Sequence, residues 1–284
     1  MRIFITGHKG QLGSALQQAF AGHDLALADL PETDITDASA IAGAIGAFRP
    51  DLVLHPAALT DTARCQREPD LAYRVNALGT RNVALGCQRA GAPLLYISTN
   101  EVFDGRKTEP YLEFDAANPI NAYGRSKLAG ETVVRDLLTR FYIVRTAWLY
   151  GQEGNHFVSK IIHRADKEGR LRVVADEVGS PTYTQDLASG VRRLVQTGAF
   201  GVYHFVNDGV ASRYDLARQI MQLCGRGHVP VEPITLAEFS RPSTPPPYTP
   251  LRNFCGAALG ITFRPWQAAL AEYLSTPSNL RRGE

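Results

Sequence analysis

From its second residue the chain alternates short apolar runs with longer stretches in which apolar side chains recur every three or four positions. Ile3 to Ile5 reads as a strand, and after a glycine-rich turn Ser14 to Phe20 reads as a helix. A second short strand follows at Leu25 to Ala28. A helix over Ala38 to Phe48 leads into the apolar run Leu52 to Leu54, and a longer one over Ala72 to Ala90 leads into Leu94 to Ile97. A helix over Ala122 to Leu138 then precedes a strand at Tyr142 to Val144. Strands separated by helices of this length need crossover connections, so they lie parallel in one sheet. Their near-continuous apolar character is that of strands covered by helices on both faces. The pattern predicts an α/β fold with a doubly wound parallel sheet.

After Tyr150 the rhythm loosens. Gly151 to Asn155 reads as a loop, followed by a helix to about Lys167 and a strand at Leu171 to Val174. Gly201 to Val206 is apolar enough to be a strand returning to the sheet. Arg241 to Pro250 holds five prolines in ten residues, which excludes helix and central strand and predicts an extended loop beside a cleft. The expected division is a larger part, 1–150 with 183–207, and a smaller one, 151–182 with 208–284. The last eight residues, Pro277 to Glu284, read as a frayed end.

Composition narrows the function classes. The chain has 284 residues, 44% of them hydrophobic and 20% charged, which is the balance of a globular protein with a real core. Thirty basic against 28 acidic residues give a net charge of +2, too small to point to nucleic acid. The seven histidines are scattered without paired spacing, so no metal site is expected. Four cysteines stand far apart without a CxxC and read as reduced thiols. The apolar N-terminal run is too short for a secretory signal or a membrane span, so a cytoplasmic protein without membrane contact is expected.

Gly7-His8-Lys9-Gly10-Gln11-Leu12-Gly13 joins the first strand to the first helix. Glycine is needed there for a tight turn, for close approach of the backbone to a pyrophosphate, and for packing of helix on strand. The pyrophosphate would sit on the open N–H groups of the helix N-terminus, held by Gly7, Gly10, Gln11, Leu12 and Gly13. Asp29, 22 positions after Gly7 at the end of the second strand, would accept hydrogen bonds from the adenosine ribose. Its charge would repel a 2′-phosphate, and Leu30 offers that phosphate no partner, so NADH is expected in preference to NADPH. The domain is then Rossmann-type.

Tyr123 and Lys127 stand four residues apart on a predicted helix and therefore on one face. An ammonium beside a phenol favours the phenolate, so Tyr123 is expected to carry a lowered pKa and to protonate a carbonyl oxygen. Ser98-Thr99 ends the strand Leu94 to Ile97, where ligands of a parallel sheet bind. Thr99, Tyr123 and Lys127 are the expected catalytic set.

These segments resemble the extended short-chain dehydrogenases, and more narrowly the dTDP-4-dehydrorhamnose reductase family. The resemblance rests on GHKGQLG, DITD at Asp34 to Asp37, STNEVFDG at Ser98 to Gly105, NAYGRSKLAGE at Asn121 to Glu131, RTAWLYG at Arg145 to Gly151, and VGSPTYTQDLA at Val178 to Ala188. It spans roughly the first two-thirds of the chain. It implies reduction of the C4 ketone of a nucleotide-activated deoxysugar, dTDP-4-dehydro-L-rhamnose, by a smaller domain that holds the nucleotide-sugar. It also implies cofactor contacts from Asp34 and Ile35 near the adenine and from Ala57, Ala58 and Leu59 near the third strand, and a sugar contact from Trp148. It admits a homodimer. Asn100-Glu101 replaces the Asp-Tyr found in many relatives, and at least one of the two is expected to reach the sugar. Proline stands where relatives carry an arginine near the carboxy terminus, with Arg241 as a substitute. Two other readings share the pattern: an epimerase or dehydratase of the same fold, and a non-catalytic regulatory subunit of methionine adenosyltransferase.

Overall fold

The structure is a computed structural model that describes residues 1–152, 154–276 and 279. The predicted frayed end therefore lies, apart from Asn279, outside the described residues.

Six strands build the central sheet: β1 (Arg2–Thr6), β2 (Asp24–Ala28), β3 (Leu52–His55), β4 (Leu94–Thr99), β5 (Phe141–Thr146) and, much later, β10 (Gly201–His204). Their order is β10-β5-β4-β3-β1-β2 and every pair is parallel. The order reverses at β1, so a cleft opens beyond the carboxyl ends of β1 and β3. β3 and β4 are buried along their whole length, whereas the edge strand β2 is buried only at its last residue.

Strand residues alternate between two cores, as the period of two requires. Ile3, Ile5, Leu52, Leu54, Leu95 and Val144 face one layer, made by α1 (Gln11–Ala19) and α8 (Thr184–Thr197). Phe4, Val53, Leu94, Tyr96 and Ile143 face the other, made by α2 (Ala38–Phe48), α5 (Thr80–Ala90) and α6 (Ala122–Leu137). Local chemistry sets the helix starts. Asp37 accepts hydrogen bonds from the backbone of Ser39 and Ala40, and Asn121 accepts one from Gly124. A third core joins Tyr150, Tyr183 and Trp266 to α7 (Phe157–Glu168), β7 (Leu171–Val174), α9 (Arg213–Leu223) and α11 (Trp266–Ser275).

Two regions differ in detail from the pattern. The predicted helix over Ala72 to Ala90 is interrupted. A short helix α4 (Pro69–Tyr73) passes through a π-helical turn at Arg74–Gly79 before α5 begins. Residues 241–250 form neither helix nor regular strand. They are alternately buried and exposed, and are stitched to β8 (Val178–Gly179) by Val178 N–H donating to the Pro247 carbonyl and Thr249 N–H to the Val178 carbonyl.

Behind the sheet's carboxyl edge lies a buried ion pair. Glu131 on α6, fully buried, accepts two hydrogen bonds from the Arg145 guanidinium at 2.8 and 2.7 Å and one from the Ser98 hydroxyl at 2.6 Å. Arg135, half-exposed, also reaches the Glu131 carboxylate at 3.3 Å, but removing Arg145 takes away its buried bidentate partner. Arg145→Met should therefore lower the unfolding free energy, read from denaturant titration, by up to about 3–5 kcal/mol, the remaining Arg135 contact offsetting part of the loss. The double variant Glu131→Leu/Arg145→Met should recover much of the loss. A single variant within about 1 kcal/mol of wild type would mean that Glu131 finds its compensation elsewhere.

Candidate active site

All the site residues read from the chain line one cavity of about 960 Å³ over the sheet's carboxyl edge. That volume is at the upper end for small-molecule sites.

At the amino-terminal end, Gly7 adopts φ +60°, and a Cβ there would lie 2.7 Å from the Ala57 backbone. A Cβ on Gly13 would overlap the Gly7 carbonyl oxygen, so helix and turn close on each other only without side chains. No side chain caps α1, which leaves its first N–H groups directed at the cavity with Gly10, Gln11 and Leu12. Gln11 Oε1 is buried without a hydrogen-bond partner among the described residues. Open donors, an unpartnered acceptor and a turn stripped of side chains fit a dinucleotide.

The Asp29 carboxylate is fixed by two backbone donors, Lys9 N–H at 2.9 Å and Leu30 N–H at 2.8 Å. Beside it the Lys9 ammonium pairs with Glu32 at 2.8 Å and with the Leu30 carbonyl at 2.7 Å. Asp34, Ile35, Ala57, Ala58 and Leu59 line the next part of the wall.

The π-helical turn has a clear local role. It brings Asn76 inward, where its side-chain oxygen accepts from Leu59 N–H at 2.8 Å. Its amide nitrogen donates to the Leu59 carbonyl at 3.0 Å and to Ser126 at 2.9 Å. Ser126 in turn donates to the Tyr123 carbonyl at 2.8 Å. One side chain thus ties the cofactor wall to the helix of Tyr123 and Lys127, and such π turns recur at functional sites.

Thr99, Tyr123 and Lys127 meet in the middle of the cavity. Lys127 is 2% exposed, with its ammonium 4.1 Å from the Tyr96 ring centroid. Burial pushes its pKa down to about 7, against the opposing pull of the Glu131 carboxylate. Tyr123 departs from expectation. Its pKa is raised rather than lowered, first by burial and then by the charge of Glu101, with the Thr99 hydroxyl opposing. Desolvation outweighs pairing, so the phenol holds its proton firmly. His55 underneath lies within 2.7 Å of Thr6 Oγ1 and 3.1 Å of Thr80 Oγ1. Burial, with the Lys127 charge, lowers its pKa to about 3, so it is neutral.

At the far end Asn100 donates from its amide to Thr249 at 2.7 Å, and Glu101 accepts from Asn121 at 2.6 Å. Trp148 adopts φ +45°, with the Arg213 guanidinium 3.5 Å from its ring centroid. Arg213 and Arg241 both donate to the buried Glu177, at 3.0 and 2.5 Å. Arg213, Lys9 and Asn76 are functional-site residues that pattern reading passed over. Arg213 and Asn76 carry no motif, Lys9 stands in the glycine motif at a position the turn does not restrict, and the partners of all three are distant in sequence.

The sheet order, the glycine turn and the Thr99–Tyr123–Lys127 set define a dinucleotide-binding enzyme of the extended short-chain dehydrogenase class. Residues 1–278 match the family model described as RmlD substrate binding domain. A dTDP-4-dehydrorhamnose reductase of Mycobacterium tuberculosis is 40% identical over 287 residues, covering 98% of this chain and 94% of that one. Two solved structures are similar over nearly their full length. The dTDP-4-dehydrorhamnose reductase of Clostridium acetobutylicum has TM-score 0.93 and 40% identity, over 97% of this chain and 99% of that one. The enzyme of Bacillus anthracis in complex with NADP has TM-score 0.93 and 38% identity, over 96% and 98%. The chain belongs to the dTDP-4-dehydrorhamnose reductase family.

The Lys127 shift has a measurable sign. An unfolded lysine titrates near 10.5 and the folded one near 7, so between those values the unfolded state binds more protons and stability rises with pH. The penalty for burying Lys127 is thus full below pH ~7 and gone above ~10.5. Lys127→Met should gain most over wild type in melting temperature at pH 7, with the gain shrinking toward pH 10. A gain independent of pH would show that Lys127 is not neutralised by burial.

Proposed function

We infer that the protein reduces the C4 ketone of a dTDP-4-keto-6-deoxysugar, dTDP-4-dehydro-L-rhamnose, at the expense of NADH or NADPH. The observation that carries this reading is the assembly of Thr99, Tyr123 and Lys127 in one cavity with the glycine turn. That assembly also favours catalysis over a purely regulatory subunit.

The reduced nicotinamide, when bound, supplies the hydride. Thr99 and Tyr123 hold the ketone oxygen between their hydroxyls, and Tyr123 delivers its proton to that oxygen as negative charge develops there. Because Tyr123 has a raised pKa, its proton stays in place until the oxygen becomes strongly basic. Lys127, behind the phenol, supplies positive charge near the site and a donor for the cofactor ribose. Asp29 holds the adenosine ribose, and its charge selects NADH. Asp34 and Ile35 flank the adenine. Ala57, Ala58 and Leu59 carry the cofactor past the third strand.

The larger part of the chain, 1–150 with 183–207, holds the dinucleotide. The smaller part, 151–182 with 208–284, covers the nucleotide-sugar; α7, β7, α9 and α11 sharing one core supports that division, although Ile261 packs into the sheet core. Trp148 and Glu101 contact the sugar, and Asn100 acts there mainly by fixing Thr249. We place the protein in the cytoplasm, where its four widely spaced cysteines stay reduced.

Tyr123→Phe should lower kcat by about 10²–10⁴ while leaving the Kd for NADH within about twofold. A variant that keeps more than a third of wild-type turnover would remove Tyr123 from this role.

Cofactor choice should follow Asp29. Wild type should use NADH with the higher kcat/KM, and Asp29→Ala should narrow or reverse the margin, because like-charge repulsion disappears and the Lys9 N–H that Asp29 holds is freed. Equal use of both cofactors, unchanged in the variant, would place the preference elsewhere.

A further inference from the structure

Reduction of a ketone needs one proton, delivered to oxygen, and Tyr123 supplies it. The same cavity holds a second acid–base group that this chemistry leaves unused. Glu101 stands two residues after Thr99, on the 3-10 turn Asn100–Val102, and its backbone is held from two sides. Its N–H donates to the Thr99 hydroxyl at 3.2 Å. Its carbonyl is packed so tightly against α6 that a Cβ on Gly124 would overlap it. One carboxylate oxygen accepts from Asn121 at 2.6 Å, and the other makes no hydrogen bond to the described residues. The carboxylate lines the cavity with Thr99 and Tyr123, near enough for its charge to raise the Tyr123 pKa.

We propose that Glu101 acts as a general base and acid toward a carbon next to the ketone, so that the enzyme exchanges that carbon's hydrogen with solvent as well as reducing the carbonyl. The proposal rests on the 4-keto-sugar reading above. A ketone held by Thr99 and Tyr123 acidifies the C–H bonds of its neighbouring carbons. Glu101 takes one of those protons. The C–H electron pair becomes the C=C bond of an enolate, and the carbonyl π pair moves to the oxygen, where the Tyr123 hydrogen bond stabilises it. The reverse step returns a proton from Glu101 to the same face, so configuration is retained and nothing is oxidised or reduced. Burial raises the Glu101 pKa above the ordinary carboxylate value, which brings its basicity closer to that needed near neutral pH. The carboxylate form is the base, so exchange should rise as pH climbs through that raised pKa.

The test is incubation of the enzyme with dTDP-4-dehydrorhamnose in D₂O in the presence of NAD⁺, which cannot donate hydride. Proton NMR and mass spectrometry then follow loss of the signal adjacent to C4 and gain of one deuterium. Wild type should exchange well above the enzyme-free rate. Glu101→Gln should lower exchange by about 10²-fold or more. NADH-dependent reduction by the same preparation, measured at saturating sugar, reports folding; the KM for the sugar should rise because Glu101 contacts it, while kcat for reduction should fall far less than exchange does. Glu101→Asp should restore part of the exchange. Wild-type reduction without exchange above background would overturn the proposal and leave the reductase reading intact. Exchange that persists in Glu101→Gln would assign it to another base. Failure of wild type to reduce the sugar would instead strike the underlying reading.

Discussion

The geometry of the site depends on a charge pair that never touches the cavity's contents. Glu131 lies one helical turn beyond Lys127 on α6 and faces the ends of β4 and β5. There it gathers the Ser98 hydroxyl from one strand and the Arg145 guanidinium from the other. Thr99 is the residue after Ser98 and pairs in register with Thr146, the residue after Arg145. One carboxylate therefore sets the distance between the hydroxyl of Thr99 and the helix that carries Tyr123. A buried carboxylate is tolerated only when its lone pairs are filled, and the bidentate guanidinium with a third donor fills them.

The same burial governs protonation. A lysine four residues from a tyrosine invites the expectation of a shared, partly ionised phenol. The structure resolves the competition the other way, because Lys127 is buried, Tyr123 is part-buried, and desolvation disfavours each charged form. Lys127 sits near neutrality while Tyr123 keeps its proton. Such a pair works as a donor that responds to charge appearing on the substrate, since the developing oxyanion is what makes giving up the phenol proton favourable.

Much of this architecture was legible because it is local or periodic. Ala38 to Phe48 is bounded as the apolar spacing predicts, and Leu171 to Val174 likewise. The glycine turn announces itself because only glycine permits its contacts with Ala57 and Gly7. Other features escaped for physical reasons. The π-helical turn around Asn76 has helical composition throughout, and its change of hydrogen-bond pattern becomes favourable only when Leu59 and Ser126 receive the side chain. Arg213 sits in an unremarkable stretch, Arg-Tyr-Asp-Leu-Ala. Its importance comes from Glu177 and Trp148, which are distant in sequence. The raised pKa of Tyr123 was hidden because sequence spacing reports that a charge is near, not that water is absent.

The far end of the cavity shows polar ties adding to the apolar clusters against which Trp148 packs. Trp148 is kept in a left-handed backbone conformation that a bulky side chain disfavours, and such strain persists only where the surroundings over-determine it. Here they do: Arg213 covers one face of the indole, and Gly179 packs against it so closely that a Cβ would overlap the ring. The proline-rich strap closes the arrangement. Its prolines reduce the freedom lost on ordering, and polar ties anchor it at Glu177 through Arg241, at Asn121 through the Thr244 carbonyl, and at Asn100 through Thr249. Asn121 is thereby shared between the strap and Glu101. The position of the Glu101 carboxylate in the cavity is thus coupled to a loop more than a hundred residues away in the chain, which supports the cavity from behind rather than serving as a passive connection.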